Sequence, residues 1–419
     1  MPCTKSAPEP FRGALALSSS RIVIVAGAGI GGLTAALALV RNGFRVTVLE
    51  QTERLEETGA GIQLTPNAAR TLIDLGLESR LRPHAVAPTA LRVLSATTGR
   101  EIVRMPLGEV AQQRYGAPYW VIHRGDLQAA LVAAVSRHLD ITVKLGMRVE
   151  DFVAHSNGVT VSARSHAGIA DERGLALLAA DGLWSHMRTR IGYGEPPHFV
   201  GRTAWRGLVP AAAVAPEFRE PLIHLWLGRD AHLVHYPVKS GRVINMVAIV
   251  ADSWNAPGWS EPGSRAELIP RLAAEGWAPH ALSLAGAPEA WLKWALYARR
   301  PLAQWSREAV ALLGDAAHPM LPYLAQGAAM AIEDAAVAAQ CLAREPDDAA
   351  GALRTYCAVR RARAWKVQRL AARNGARYHL SGARGWLRDA AMRAMGGTRL
   401  LRHYDWLYDW RPPAAFSIT

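Results

Sequence analysis

The sequence predicts an α/β fold in which a doubly wound parallel sheet is interrupted by a mixed-sheet region and followed by C-terminal helices. Three observations carry this. A β-branched run, a glycine cluster and an alanine- and leucine-rich run follow one another between Ile22 and Val40. Alternating apolar residues with tryptophans and prolines take over at about 91–105 and again at about 199–250. A strand-like AVALLGD at 309–315 then precedes Ala-rich helical stretches at about 327–342 and 349–378.

Length and composition bound the answer first. A chain of 419 residues, half of them hydrophobic and 36 of them glycine, suffices for one large α/β domain plus a smaller region covering a substrate. The three cysteines, Cys3, Cys341 and Cys357, form no CxxC pair, so neither a disulfide framework nor a zinc site is expected and a reducing cytoplasm fits. Residues 1–20 carry Lys5, Glu9 and Arg12 and no long apolar run, which reads as a disordered leader rather than a signal peptide. The net charge of +13 is concentrated late: Arg354 to Arg402 holds twelve arginines and Lys366 against the single acid Asp389. Such a run reads as a solvated helical face. It would also concentrate anionic ligands, and no nucleic-acid motif accompanies it.

The first element, Ile22 to Val40, has Thr34 as its only polar residue and superficially resembles a membrane span. Gly27, Gly29, Gly31 and Gly32 break it into strand, tight turn and buried helix. The spacing Gly27-x-Gly29-x-x-Gly32 between strand and helix lets backbone approach a pyrophosphate, with the helix N-terminus aimed at the phosphates. Glu50 ends the next strand, where a carboxylate accepts hydrogen bonds from a ribose diol. Together these predict a Rossmann-type dinucleotide site, without separating FAD from NAD. A Gly-rich loop at Gly59 to Gly61 and a helix from Pro66 to Leu77 follow.

The later motifs make that separation through a resemblance. Gly27 to Glu50, Asp181-Gly182 in LLAADGLWSHMR, and Gly314-Asp315 in LLGDAAHPMLPYLAQGAAMAIEDA resemble the group A flavoprotein aromatic hydroxylases over nearly the whole chain. GAGIQLTPNA (59–68), HRGDL (123–127) and YDWLYDW (404–410) are most similar to salicylate hydroxylase and 3-hydroxybenzoate 6-hydroxylase relatives. The resemblance implies an FAD cofactor, NADH or NADPH and O2 as co-substrates, and hydroxylation of a phenolic acid through a flavin C4a-hydroperoxide. It assigns Asp315 to the ribitol hydroxyls and Arg124, before a helix starting near Asp126, to the ribitol or phosphate region. It gives Asp181 contacts to FAD and nicotinamide, and it passes the loop carrying Gln63 over the flavin ring. The amides of Pro322 to Ala329, Gly327 and Ala328 among them, would face the flavin pyrimidine at a helix start.

For the substrate, RDAHLVHYPV at 229–238 is the most informative stretch. Period-2 alternation puts His232, Val234 and Tyr236 on one strand face and His235 on the other. A His and a Tyr four residues apart, roughly 13 Å of strand rise, flank a small ring from two sides. A phenol must lose its proton to activate its ring, and His232 is the candidate base; the alternative is that both are hydrogen-bonded core residues. Tyr323 is expected to line the same pocket, and Arg206 to hold a carboxylate. Salicylate, hydroxylated with loss of carbon dioxide to a catechol, is the favoured substrate because Pro322 replaces a glutamine expected in 3-hydroxybenzoate 6-hydroxylases. A larger aromatic scaffold, or a non-catalytic flavin redox sensor, is the alternative.

His318 has no partner at metal-ligand spacing, and neither HExxH nor GxSxG occurs, so metal-dependent and acyl-transfer chemistry are disfavoured. The domain boundaries predicted are 21–90, 106–198 and 295–345 for a discontinuous FAD-binding domain, 91–105 and 199–294 for the substrate region, and 346–419 for a helical tail.

Overall fold

A computed structural model describes residues 21–55, 60–256 and 260–413; the expected leader at 1–20 and Gly59 of the glycine-rich loop lie outside the described residues. Ile22–Ala26 runs parallel to Arg45–Leu49 on one side and to Ala176–Ala179 on the other. The sheet continues parallel to Ile141–Lys144 and to Val310–Leu312, with Ser306–Arg307 as an antiparallel edge. The central strands are buried on both faces, and their β-branched and aliphatic residues suit a sheet covered by helices. Helices Ile30–Arg41 and Gly327–Arg344 pack together beside it, with Leu313 and Ala331 against the flat surface of Gly31.

The roof is an eight-stranded mixed sheet in the order Glu261–Ser264, Ala290–Ala298, His198–Pro210, Val243–Ala251, Ala231–Val238, Leu222–Leu227, Ala90–Ser95 and Glu101–Pro106. Only the pair Leu222–Leu227 and Ala90–Ser95 is parallel. Its outer face carries Trp205, Trp226, Leu233 and Met246, which are buried with Leu268, Leu272, Ala281 and Leu284 of two short helices. The inner face carries Ala204, Ile249 and Leu296 toward Tyr323. Strand Ala290–Ala298 takes the roof past the expected boundary at 294, because its pairing with His198–Pro210 runs to Ala298.

Two local expectations change. Gln63 lies on a strand, not a loop, because Gly61–Leu64 pairs with Trp120–His123. The helix expected near Asp126 starts at Arg124. The C-terminal part is helical as expected, with Ala349–Tyr378 followed by Gly382–His403 and Asp405–Tyr408. Gly397 of the second helix lies so close to the edge strand that a Cβ would stand 1.7 Å from the Arg104 carbonyl oxygen. This contact covers an edge that would otherwise be open to pairing.

The arginine run is not simply a solvated face. Arg360 is fully buried, its Nε donating to Asp334 at 2.7 Å and its Nη1 to Glu333 at 2.6 Å, with Arg363 on Glu333 as well. The expectation failed there because both acids lie on the neighbouring helix and turn inward, and buried charges persist only when paired. No helix among the described residues is long and apolar enough to cross a membrane.

Candidate active site

The glycine turn leaves the C-terminal end of Ile22–Ala26 and enters the helix at Ile30. Gly27 has φ +103°, and a Cβ on it would meet the Ala180 carbonyl oxygen at 2.5 Å; one on Gly32 would stand 1.9 Å from the Gly27 oxygen. The fold itself therefore requires those two glycines. Gly29 differs: a Cβ there meets nothing within 4 Å, and the helix it caps receives no side-chain cap. A glycine facing open space in front of uncapped helix amides fits a diphosphate lying across the turn. Glu50 closes the turn, accepting from the Ala28 amide at 2.7 Å and the Thr52 amide at 2.8 Å.

Further along the sheet, Val310–Leu312 delivers Gly314 and Asp315. Gly314 has φ +62° and its amide donates to Asp334 at 3.0 Å. Asp315 is exposed to solvent yet crowded by neighbouring protein groups. Desolvation raises its pKa, against the pull of His318 and Arg124. A carboxylate with both oxygens open to hydroxyl donors is suited to a polyol. Asp181 lies beyond the end of the adjacent strand, its Oδ2 accepting from the Met187 amide at 3.0 Å while Oδ1 is buried without a partner. Burial raises the pKa of Asp181 too.

Gly327 and Ala328 open the long helix after Ala325 (φ +53°), next to Asp315: a Cβ on Gly327 would be 3.9 Å from Asp315 Oδ1. This helix start is held from behind by the buried charges. Asn67 bridges Glu333 at 2.6 Å and Gln326 at 3.2 Å, and Gln326 donates to Thr65 at 3.0 Å. Asp334 carries Arg360, His318 at 2.5 Å and the Gly314 amide. Burial alone would raise the Asp334 pKa, but His318 and Arg360 hold it down to about 2. One ionic cluster thus positions both the Gly314 turn and the Gly327 helix start.

Under the roof, His232 and Tyr236 share the inner face of Ala231–Val238 while His235 points outward, stacked on His224 at 4.3 Å. The alternation therefore holds. Both inner residues are nearly inaccessible, at 2% and 3% exposure. Tyr236 packs on Gly61, where a Cβ would meet its Cε2 at 2.6 Å, and the Gly61 amide donates to Asn245 at 2.6 Å. Burial raises the Tyr236 pKa, opposed by the Arg206 charge and a hydrogen bond with Gln63. Arg206, two strands from Tyr236, lies over the ring of Trp294 at 4.6 Å. Tyr323 stands 5.5 Å from His232, ring centre to ring centre, its pKa pushed up to about 12 by burial.

Several residues here escaped the sequence reading. His379 Nε2 is 2.9 Å from His232 Nδ1. Tyr119 donates to Gln63 at 2.6 Å and meets Tyr408 edge to face, and Tyr404 stacks on Tyr408. Tyr378 packs on both His232 and Tyr323. The tail therefore supplies part of the surroundings of His232, Tyr323 and Tyr119. Its YDWLYDW segment was visible as a motif, but nothing local ties His379 to a strand 147 residues earlier. No group of three or more histidine, cysteine or acidic side chains among the described residues could hold a metal ion.

The family described as FAD binding domain matches residues 21–371. The chain is 37% identical over 387 residues to 3-hydroxybenzoate 6-hydroxylase 1 of Aquipseudomonas alcaligenes, covering 92% of this chain and 97% of that protein. It is 37% identical over 392 residues to a 3-amino-4-hydroxybenzoate 2-monooxygenase of Streptomyces platensis, covering 92% and 95%. Among solved structures, a salicylate hydroxylase substrate complex superimposes with TM-score 0.78 at 26% identity, covering 93% and 95%. Klebsiella pneumoniae HpxO complexed with FAD and uric acid gives 0.79 at 26%, covering 91% and 95%.

Proposed function

The chain belongs to the FAD binding domain family and, within it, to the group A flavoprotein aromatic hydroxylases; from that premise we propose that it hydroxylates a small phenolic carboxylic acid with NADH or NADPH and O2. Gly29, Asp315, Arg124, Asp181 and the amides of Gly327 and Ala328 hold the FAD, and Glu50 serves its ribose. FAD held there would supply the redox chemistry that links nicotinamide oxidation to the use of O2. The chain's own residues orient the substrate, exclude water and move the phenol proton.

The observation that carries this reading is the placement of His232 and Tyr236 four residues apart on one buried inner face of a roof strand. His232 takes the phenol proton, and Tyr236, with Arg206 and Gln63, receives the carboxylate end. Groups roughly 13 Å apart along a strand suit a ring whose hydroxyl and carboxylate are separated, as in a 3-hydroxybenzoate, better than an ortho pair that bonds to itself. The 37% identity to a 3-hydroxybenzoate 6-hydroxylase supports that choice. Decarboxylative hydroxylation of salicylate is the second reading, favoured by the likeness to a salicylate hydroxylase substrate complex and by Pro322.

The test is NADH and NADPH oxidation by the FAD-loaded protein across hydroxybenzoates, with oxygen uptake and products identified together. A para-diol from 3-hydroxybenzoate supports the first reading, and catechol with carbon dioxide from salicylate the second. No stimulation by any small aromatic acid would sink both, and would favour a larger scaffold or a redox sensor.

A further inference from the structure

His379 has no place in the reading above, yet it is the hydrogen-bond partner of the residue chosen as base. It caps the C-terminal end of helix Ala349–Tyr378 and is 8% exposed, while His232 is 2% exposed. Their ring nitrogens, Nδ1 of His232 and Nε2 of His379, stand 2.9 Å apart. A bond of that kind leaves Nε2 of His232 for a phenol and Nδ1 of His379 for whatever lies beyond it.

The surroundings are asymmetric. Around His232 are Ile249 across the strand pair and the rings of Tyr323 and Tyr378 at 5.5 and 5.4 Å, with the charge of Arg202 as the nearest beyond His379. No carboxylate acts on it. His379 feels Arg202 and Arg388, and also the acid Asp230, whose side chain is half exposed and paired with Arg202. Arg388 is turned to Asp389 and to the carbonyls of Arg377, Tyr378 and Leu380. His379 is the less deeply buried of the two, at 8% against 2%, and is the one on which an acid acts, so it is the side of the pair nearer solvent.

We propose that His232 and His379 form a two-imidazole relay that carries the substrate's phenol proton outward to solvent beside Asp230. The proposal rests on the phenolic-substrate reading and deepens it. In the starting state His232 carries its hydrogen on Nδ1 and donates to His379 Nε2. The phenol O–H bond breaks as an N–H bond forms at His232 Nε2. The Nδ1–H bond of His232 then breaks as one forms at His379 Nε2, and His379 releases the proton on its own Nδ1 to water. One proton leaves, a phenolate remains, and no electron changes hands. Burial holds both imidazoles neutral at rest, His379 down to about 3.

The experiment binds 3-hydroxybenzoate and salicylate to the oxidised FAD-loaded protein without nicotinamide. It follows phenolate absorbance and, in weak buffer with an indicator dye, the rate of proton release across pH. Wild-type protein is expected to ionise the ligand and release a proton. Two variants, His379→Phe and His379→Gln, are expected to slow release by about tenfold or more with ligand affinity and FAD content retained. Glutamine can still hold His232 through its amide but cannot pass a proton through a ring. Recovery of the wild-type rate and pH profile in His379→Gln would assign His379 to orientation alone and overturn the relay. Wild-type release in both variants, with loss in His232→Ala, would overturn it as well while keeping His232 as base. A ligand that binds without ionising in the wild type would instead refute the phenol-base reading itself.

Discussion

Gly375, in the interior of helix Ala349–Tyr378, lies against the ring of Tyr323: a Cβ on it would stand 2.6 Å from both Cδ2 and Cε2 of the tyrosine. Glycine in a helix interior costs about 1 kcal/mol relative to alanine, so its presence has a packing reason. Gly375→Ala is expected to displace Tyr323 toward His232 and to raise the substrate KM severalfold, with FAD content unchanged. Steady-state kinetics beside a flavin absorbance assay check this. Unchanged KM would show that Tyr323 does not contact the substrate.

Asp315→Ala removes the exposed carboxylate beside the Gly327 helix start. If that group holds the FAD polyol, charge-assisted bonds worth about 1.5–3 kcal/mol disappear, and FAD affinity is expected to fall roughly 10- to 100-fold. Titration of apoprotein by flavin fluorescence measures it. Tight, stoichiometric FAD in the variant would be decisive against the assignment.

Replacing Arg360 by methionine leaves Glu333 and Asp334 buried with one cation fewer. Breaking a buried pair from one side costs about 3–5 kcal/mol, so chemical denaturation is expected to show a loss of that order. Arg373→Ala, on the exposed face of the same helix, is expected to leave stability unchanged. Equal effects of the two would mean that the run acts as one solvated face after all.

The outward pair His224 and His235 gives the pH prediction. Burial, then the Arg92 and Arg104 charges, holds the His224 pKa at about 3, and burial with His224 and Arg92 keeps His235 well below its ordinary value. Neither ring nitrogen of His235 has a hydrogen-bond partner. Folded imidazoles stay neutral, whereas unfolded ones gain protons below about pH 6.5. Stability is therefore fully present above that value and lost as pH falls, at about 1.4 kcal/mol per pH unit for each histidine. His235→Phe is expected to make ΔG fall less steeply between about pH 6 and 4.5 by one proton's worth. An unchanged slope in urea titrations at several pH values would contradict the burial of a neutral imidazole there.

Much of the fold was readable because its signals are local. The run from Ile22 to Val40 contains its own strand, turn and helix, and Gly27 and Gly32 are needed by backbone packing within that unit and beside Ala180. Alternation alone assigned His232, Tyr236 and His235 to opposite faces of one strand, since side chains on a strand must alternate. The motif around Asp315 was readable for the same reason, a strand ending in small residues before a long helix.

What needed three dimensions was every relationship between distant segments. Gln63 became a strand residue only through pairing with Val121, and Gly61 matters because Tyr236 and Asn245 fold onto it. Arg360 looks like its neighbours in sequence, yet faces Glu333 and Asp334 on another helix, while most of the run faces water. His379 meets His232 across 147 residues, a contact no periodicity encodes. Periodic burial is a property of a single element and is written in the order of its residues; partner choice arises from how finished elements pack, so it appears only when the chain has closed on itself.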